Sequence, residues 1–358
     1  MTTTANESRE AIRELATDLF GRQLDAARRD KVEATADRFD RELWAAIAEA
    51  GLLGVAVSED NGGLGLGATE LTLVLEQLGR VVAPIPLVDT TVAAWCLDMH
   101  GSAEQRARWV SRLVSGAAVA AVAVPASTAG LRLDGDRLSG TSIGVPWAHV
   151  ADVLLLPVDD RVVCVDPHAD GIASTREDTT GRAVALTMQF TNVPVEPLGG
   201  DGVGSWLVTR IRLTQSAVQA GVVDAAVRMT ASYTSEREQF GKPLSTFQSV
   251  ALKAADAYLD ATVIRATALQ AAEALDNGDD AELEILTAAW WAAEAGQHAV
   301  HLTQHLHGGM GADVTYPVHR YFLWAKQIEL MLGGASALLA ELGDALEAHP
   351  DAGDALVL

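Results

Sequence analysis

The sequence predicts a mainly α protein with a central β domain. An N-terminal helical domain is expected over 1–116, a small antiparallel β domain over 117–202 and a C-terminal four-helix bundle over 203–358. Three observations carry this reading. Apolar residues recur at helical spacing up to about residue 116, give way to a β-rich pattern, and return to helical spacing from Val203 onward. Two hairpin signals, Asp134-Gly135 and Asp159-Asp160, both fall in the middle part. The last part is rich in alanine, the best helix former, and its interruptions are short, which is the pattern of a helical bundle.

In the first part, Ile12, Leu15, Leu19 and Phe20 mark one helix, and Leu43, Trp44, Ile47 and Ala48 mark another that stops at Gly51. A glycine-rich loop runs from Ser58 to Gly67. Helical spacing resumes at Leu71, Val74, Leu75 and Leu78 and is expected to end at Gly79, with Pro84 and Pro86 breaking the chain. A further helical pair surrounds Trp95 and Trp109. In the middle part, Val119, Val122 and Val124 form an apolar β-rich run. Leu131–Leu133 and Arg137–Leu138 flank Asp134-Gly135, and Val153–Val158 and Arg161–Val165 flank Asp159-Asp160. Ala183–Thr191 alternates, and Pro194 and Pro197 end it. Four long helices are then expected: Trp206–Arg237, from an N-cap at Thr246 to Asn277-Gly278, Ala281–His305, and Pro317–Ala348.

Composition narrows the function. Of 358 residues, 49% are hydrophobic and 21% charged, which is globular and excludes a disordered chain. With 26 Lys and Arg against 48 Asp and Glu, the net charge is −22, which repels nucleic-acid backbones and anionic lipid. A local cationic site for a phosphorylated small molecule remains compatible with it. Cys96 and Cys164 form no CxxC, so neither a disulfide scaffold nor a cysteine metal site is expected. The first thirteen residues carry Glu7 and Glu10 and no apolar core, and the run Ala117–Pro125 is too short to span a bilayer. A cytoplasmic location is the expectation.

Two motifs carry chemistry. Arg237-Glu-Gln239-Phe240-Gly241-Lys-Pro-Leu-Ser-Thr-Phe247-Gln248 places an arginine, an aromatic and two glutamines around a helix break. His305-Leu-His-Gly308-Gly309-Met-Gly311, followed by Tyr316-Pro317-Val318-His319-Arg320, ends a helix in glycines. The guanidinium is a planar fork suited to pyrophosphate, Gln248 can donate and accept, and the glycine pair lets backbone approach a bulky ligand. Each feature alone also reads as a solvated arginine, a turn, an exposed glutamine and a plain helix end. Together, in this order and within this three-part organisation, they resemble the acyl-CoA dehydrogenase family. The motifs are similar to that family's R-x-x-F-G and Q-x-x-G-G-x-G segments, and the loop Gly51–Gly67, with Glu59 and Gly62-Gly63, is similar to its N-terminal landmark. The resemblance spans nearly the whole chain.

The resemblance implies FAD as cofactor, an acyl-CoA as substrate and α,β-desaturation of the thioester as reaction. In such a reaction a glutamate takes the Cα proton and flavin N5 takes the hydride from Cβ. It also implies that Arg237, Gln239, Phe240, Gln248, His305, Gly308 and Gly309 reach the adenosine and pyrophosphate end of a neighbouring subunit's FAD, while the flavin ring is held by the β domain of that other subunit.

Several positions depart from the family. The usual base, a glutamate before a glycine, corresponds to Leu332 before Gly333, and the alternative base position on the first bundle helix corresponds to Ile211 before Arg212. Neither side chain takes a proton, so no catalytic residue is expected; Glu329 is the nearest substitute and reads better as an exposed or ion-paired helical glutamate. In the β domain the flavin-lining segment is reduced to Val124-Pro-Ala-Ser-Thr-Ala-Gly130, and Pro146-Trp147 stands where a threonine-bearing segment is usual. His305 stands where the family has glutamine, with Gln304 one residue early.

The adenosine-end half of a site is therefore kept and the ring-end half lost. That pattern is similar to the base-lacking subunit of bacterial heterotetrameric, steroid side-chain acyl-CoA dehydrogenases. A homologous catalytic subunit is the expected partner, in an α2β2 complex, and the Leu332-Gly-Gly-Ala-Ser ending adds to this likeness. Two alternatives stand beside it: a self-sufficient homo-oligomeric dehydrogenase with a displaced base, or a non-enzymatic structural or acyl-CoA-binding partner. His298, His301 and His305 share one helix face, but no carboxylate partners are evident and no metal is expected. Trp290, Trp291 and Trp324 are expected as core or interface anchors.

Overall fold

The computed structural model describes residues 2–348. The N-terminal part holds α1 (Thr2–Gln23), α2 (Ala26–Glu33), α3 (Arg41–Glu49), α4 (Ala68–Val81), α5 (Leu87–His100) and α6 (Ala103–Val114). Their starts follow local chemistry. Asp25 accepts from the Arg28 N–H to cap α2, Asp40 accepts from Leu43 to cap α3, and Ser102 and Gln105 form a reciprocal capping box on α6. The buried stripe of α1 is Ile12, Ala16 and Phe20, whereas Leu15 is exposed.

The middle part holds β1 (Ala120–Val122), a single turn α7 (Pro125–Thr128), β2 (Gly130–Asp134), β3 (Arg137–Pro146), β4 (Val153–Val158), β5 (Arg161–Val165), β6 (Ile172–Asp178), β7 (Val184–Pro194) and β8 (Glu196–Leu198). They form two four-stranded sheets, ordered β1-β4-β5-β8 and β2-β3-β7-β6. Both expected hairpins are present, with Asp134 opposite Arg137 and Val158 opposite Arg161. The domain is antiparallel except at one edge, where β1 runs parallel to β4. That edge is fastened to α5: Val122 N donates to the buried Asp89 carboxylate at 3.1 Å, and Ala120 N donates to Thr90 Oγ1 at 3.2 Å. Burial raises the pKa of Asp89 to about 7.

The C-terminal part holds α8 (Val203–Glu236), a two-residue ribbon of β9 (Glu238–Gln239) and β10 (Lys242–Pro243), α9 (Gln248–Asn277), α10 (Glu282–Leu306), α11 (Val318–Met331) and α12 (Ala335–Ala348). The expected last helix is two helices. Gly333 and Gly334 adopt φ of 95° and 85°, which only glycine takes freely, and they divide α11 from α12. The expected N-cap also differs. Thr246 lies in a 3-10 turn and donates to the Pro243 carbonyl, and α9 begins one residue beyond Phe247.

The described residues fall into two compact units, one taking in residues up to Val74 with Ala83–Ile211, the other Leu75–Val82 with the residues from Arg212 onward. The second unit takes in the end of α4. There Gly79 is no helix stop. A Cβ on Gly79 would lie 2.1 Å from the Val218 carbonyl oxygen, and one on Gly221 would lie 1.9 Å from that of Glu76. The two glycines let α4 and α8 touch backbone to backbone. Tyr321 Oη donates to the Arg80 carbonyl at 3.0 Å and Arg265 pairs with Glu76 at 3.1 Å, fixing the same helix end against α11 and α9. Among the described residues no helix is long and apolar enough to cross a membrane.

Candidate functional site

The residues singled out in the two motifs converge at one end of the C-terminal unit. Helix α8 ends at Glu236, and Arg237 N still bonds the Tyr233 carbonyl at 2.8 Å. The β9–β10 ribbon then reverses the chain, and Leu244 N returns to the Arg237 carbonyl at 2.9 Å. Arg237 is thus held by its backbone on both sides, while its guanidinium is exposed and makes no hydrogen bond or ion pair among the described residues. The ribbon turns at Phe240, which adopts a positive φ of 54° and leaves its ring 93% exposed. A non-glycine residue in that conformation, with so large an apolar side chain in water, is unfavourable for the chain alone. Phe240 meets only the edge of Phe247 at 6.2 Å, and Lys242 sits over the Phe247 ring at 4.3 Å. Gln239 is exposed and its amide donates to the neighbouring Glu238 carbonyl, and Gln248 is exposed on the first turn of α9.

The second motif closes on the same end. Tyr233 stacks on His307 with ring centroids 4.5 Å apart, and Tyr316 meets both rings. His307 is buried, its Nδ1 bonds the Thr303 carbonyl, and burial pushes its pKa below the usual histidine range. This anchor carries Gly308 and Gly309 at its outer edge. Gly308 has φ of 58°, but Gly309 needs no special φ, and a Cβ on it would meet nothing within 4 Å. No neighbouring atom calls for glycine there, and the position leaves its backbone bare. Gly311 is different, because a Cβ on it would collide with the Gln304 carbonyl.

An unpaired guanidinium fork, an exposed aromatic ring, side-chain amides and bare backbone make a set of groups that fits the pyrophosphate and adenosine part of a dinucleotide. A neighbouring groove of about 800 Å³, bordered by Arg80, Asp224, Arg228 and Tyr233, does not. Its arginines are already neutralised, Arg80 by Glu76 at 2.6 Å and Arg228 by Asp224 at 2.9 Å.

The ring-end segments are turned to other uses. Thr128 is buried and its hydroxyl donates to the Pro125 carbonyl at 3.2 Å. Pro146 has no N–H, and the Trp147 N–H is taken by the Val184 carbonyl at 3.0 Å. The Trp147 ring, at φ of 60°, is buried against Phe39 and His149. At the two base positions, Ile211 is 6% and Leu332 5% exposed. Glu329 is mostly buried and paired with Lys326 on its own helix. The histidines of α10 go to separate partners: His298 to Asp260 at 2.7 Å, His301 to the Gln297 carbonyl and His305 to Lys253. Among the described residues no cluster of three or more acidic, histidine or cysteine side chains could hold a metal ion.

Sequence reading missed Tyr233 and Lys253 as parts of this end. Tyr233 and His307 are 74 residues apart and Lys253 and His305 are 52 apart, so no local pattern announces either pair.

The fold, a helical domain, a β domain and a helical bundle, is that of a flavin-dependent acyl-CoA oxidoreductase scaffold, and comparison with known proteins gives the family. The N-terminal domain of acyl-CoA dehydrogenases matches residues 6–117 and their C-terminal domain matches residues 200–345. The chain is 38% identical to the acyl-CoA dehydrogenase FadE27 of Mycobacterium tuberculosis, over 90% of this chain and 91% of that one. This chain belongs to the acyl-CoA dehydrogenase family, whose members are FAD-dependent oxidoreductases. Among solved structures it is similar to the Tcur3481–Tcur3483 steroid acyl-CoA dehydrogenase G363A variant, with 41% identity, a TM-score of 0.92 and coverage of 97% of this chain and 99% of that one. It is also similar to the ChsE4–ChsE5 complex from Mycobacterium tuberculosis, with 35% identity, a TM-score of 0.90 and coverage of 95% and 97%.

Proposed function

We propose that this chain is the base-lacking subunit of a hetero-oligomeric acyl-CoA dehydrogenase, completing the FAD site of a related catalytic subunit. One contrast carries the reading. Arg237, Phe240 and Gly309 are displayed at the bundle end with no use inside this chain, whereas Leu332 and Ile211 fill both base positions with buried hydrocarbon. The reaction is the α,β-desaturation of an acyl-CoA thioester. The likeness to a steroid acyl-CoA dehydrogenase supports a steroid side-chain CoA as the substrate class, and the likeness to the ChsE4–ChsE5 complex supports a hetero-oligomeric assembly, most simply α2β2.

In this reading FAD, when bound, supplies the acceptor for the substrate hydride. This chain's residues bind and orient its far end. Arg237 places two parallel donors on a pyrophosphate, Phe240 covers an apolar face, Gln239, Gln248 and His305 supply hydrogen bonds, and Gly308-Gly309 admits the ligand against backbone. The proton of the substrate has no acceptor here, so the partner holds the base. A displaced base at Glu329 is disfavoured by its pairing with Lys326.

Turnover of the isolated chain tests this. With added FAD, an acyl-CoA and an artificial electron acceptor, the chain alone is expected to show no dehydrogenation. Turnover by the chain alone that Glu329→Gln abolishes would establish the self-sufficient enzyme instead.

A further inference from the structure

We propose that Lys253 is a positioning residue that sets the tautomer of His305, so that Nδ1–H is the donor this histidine offers to the dinucleotide. The inference rests on the reading of the bundle end given above and goes beyond it, because Lys253 lies outside both motifs.

Three observations lead to it. Gln304, the only glutamine beside the family's usual glutamine position, is already engaged. Its amide donates to the Gly311 carbonyl at 3.1 Å and fastens the glycine turn. That leaves His305, exposed on the last turn of α10, as the side chain able to face outward. Second, Lys253 Nζ lies 2.8 Å from His305 Nε2. An ammonium carries three donors and no acceptor, so the ring nitrogen it meets must be the acceptor. The single proton of the neutral imidazole is then on Nδ1, since the hydrogen bond at one ring nitrogen decides what the other carries. Nδ1 makes no hydrogen bond among the described residues. Third, the contact is held in register. Two turns further along both helices, Asp260 and His298 form the equivalent cross-helix pair at 2.7 Å. The antiparallel α9 and α10 therefore bring Lys253 to His305 by packing of the whole pair.

The consequence concerns a substitution. A glutamine presents a donor and an acceptor at once, whereas a neutral histidine presents a donor on only one of its two nitrogens. A histidine replaces the glutamine only if something fixes which nitrogen that is. Lys253 does this with a group that cannot accept.

The test has two arms. In the isolated chain, histidine-selective ¹⁵N NMR is expected to show His305 with a protonated Nδ1 and an unprotonated Nε2. Lys253→Met is expected to move both signals toward a mixture, and Lys253→Arg, also donor-only, to restore them. In the complex with its catalytic partner, Lys253→Met is expected to weaken FAD retention about 3- to 10-fold, the range of one neutral hydrogen bond. In a His305→Ala background the same change is expected to cost nothing further. A full loss on that background would mean that the lysine contacts the phosphates directly and would overturn the inference, as would an Nε2-protonated ring in the unaltered chain. If Arg237→Ala weakens retention and Lys253→Met does not, this inference alone fails. If neither variant weakens it, the reading of the bundle end fails and takes the inference with it.

Discussion

Arg237→Ala, introduced into the complex of this chain with its catalytic partner, is expected to weaken FAD retention by about 10- to 150-fold. A hydrogen bond to a charged group contributes about 1.5–3 kcal/mol, and each 1.4 kcal/mol is a factor of ten. The effect is expected because the guanidinium has no partner within its own chain to give up, while the Arg237 backbone is fixed, its N–H donating to the Tyr233 carbonyl and its carbonyl accepting from the Leu244 N–H. The backbone needs no further ordering in the bound state, and only the side-chain rotamers lose freedom there. Arg237→Lys is expected to recover part of the loss, since the charge remains but the parallel fork does not. Dialysis followed by flavin absorbance measures both variants. The folding of the isolated chain is expected to be unchanged, because the side chain is exposed and unbonded. Unaltered flavin affinity in Arg237→Ala would remove this residue from the site.

The second large effect concerns folding. Gly221→Ala is expected to destabilise the chain by about 3 kcal/mol or more, at or beyond the upper end of overpacking costs. The added Cβ would stand 1.9 Å from the Glu76 carbonyl oxygen, and a backbone oxygen cannot turn aside as a side chain does. Relief requires α4 and α8 to separate, which also strains the Gly79–Val218 contact one turn away. Gly343→Ala is the control. It lies within α12, nothing stands within 4 Å of its added Cβ, and helix propensity favours alanine by about 1 kcal/mol. Denaturant midpoints of the three proteins are expected to fall in the order Gly343→Ala, unaltered chain, Gly221→Ala. A Gly221→Ala midpoint equal to that of the unaltered chain would show that the helices have room to part.

Much of this architecture is legible in the sequence because its signals are local. The Asp134-Gly135 and Asp159-Asp160 turns and the long alanine-rich periods each report their own conformation. The misreadings share a different cause. Strand β6, Ile172–Asp178, escapes because it is exposed along almost its whole length and has no apolar alternation; pairing with β7 makes it a strand. Gly79 reads as a stop because a glycine that ends a helix and one that admits a neighbouring backbone look alike in one dimension. Gly333-Gly334 lies inside a period that otherwise continues, so α11 and α12 read as one helix. At the candidate site the motif residues are visible because they cluster around two chain breaks. The rings and ammonium that hold those breaks together, Tyr233 under His307 and Lys253 beside His305, come from distant turns and are visible only once the helices are packed.

The departures from the family pattern have a common physical sense. Leu332 and Ile211 are core residues where the family resemblance leads one to expect a base, and Trp147 lies in an aromatic cluster with Phe39 and His149. On the proposed reading each of these changes removes chemistry while keeping packing. The bundle end shows the reverse, with an exposed phenylalanine at positive φ and a bare glycine that bring the isolated chain no packing. The proposed role as a partner subunit accounts for both: one half of a site given up to packing and the other half held open.

The measurement that bears most directly on this account is native mass spectrometry of the chain co-purified with its catalytic partner, combined with flavin quantitation. The expected result is an α2β2 complex with one FAD for each αβ pair and none bound by this chain alone. One FAD for every subunit, or a yellow homo-oligomer of this chain without a partner, would contradict it.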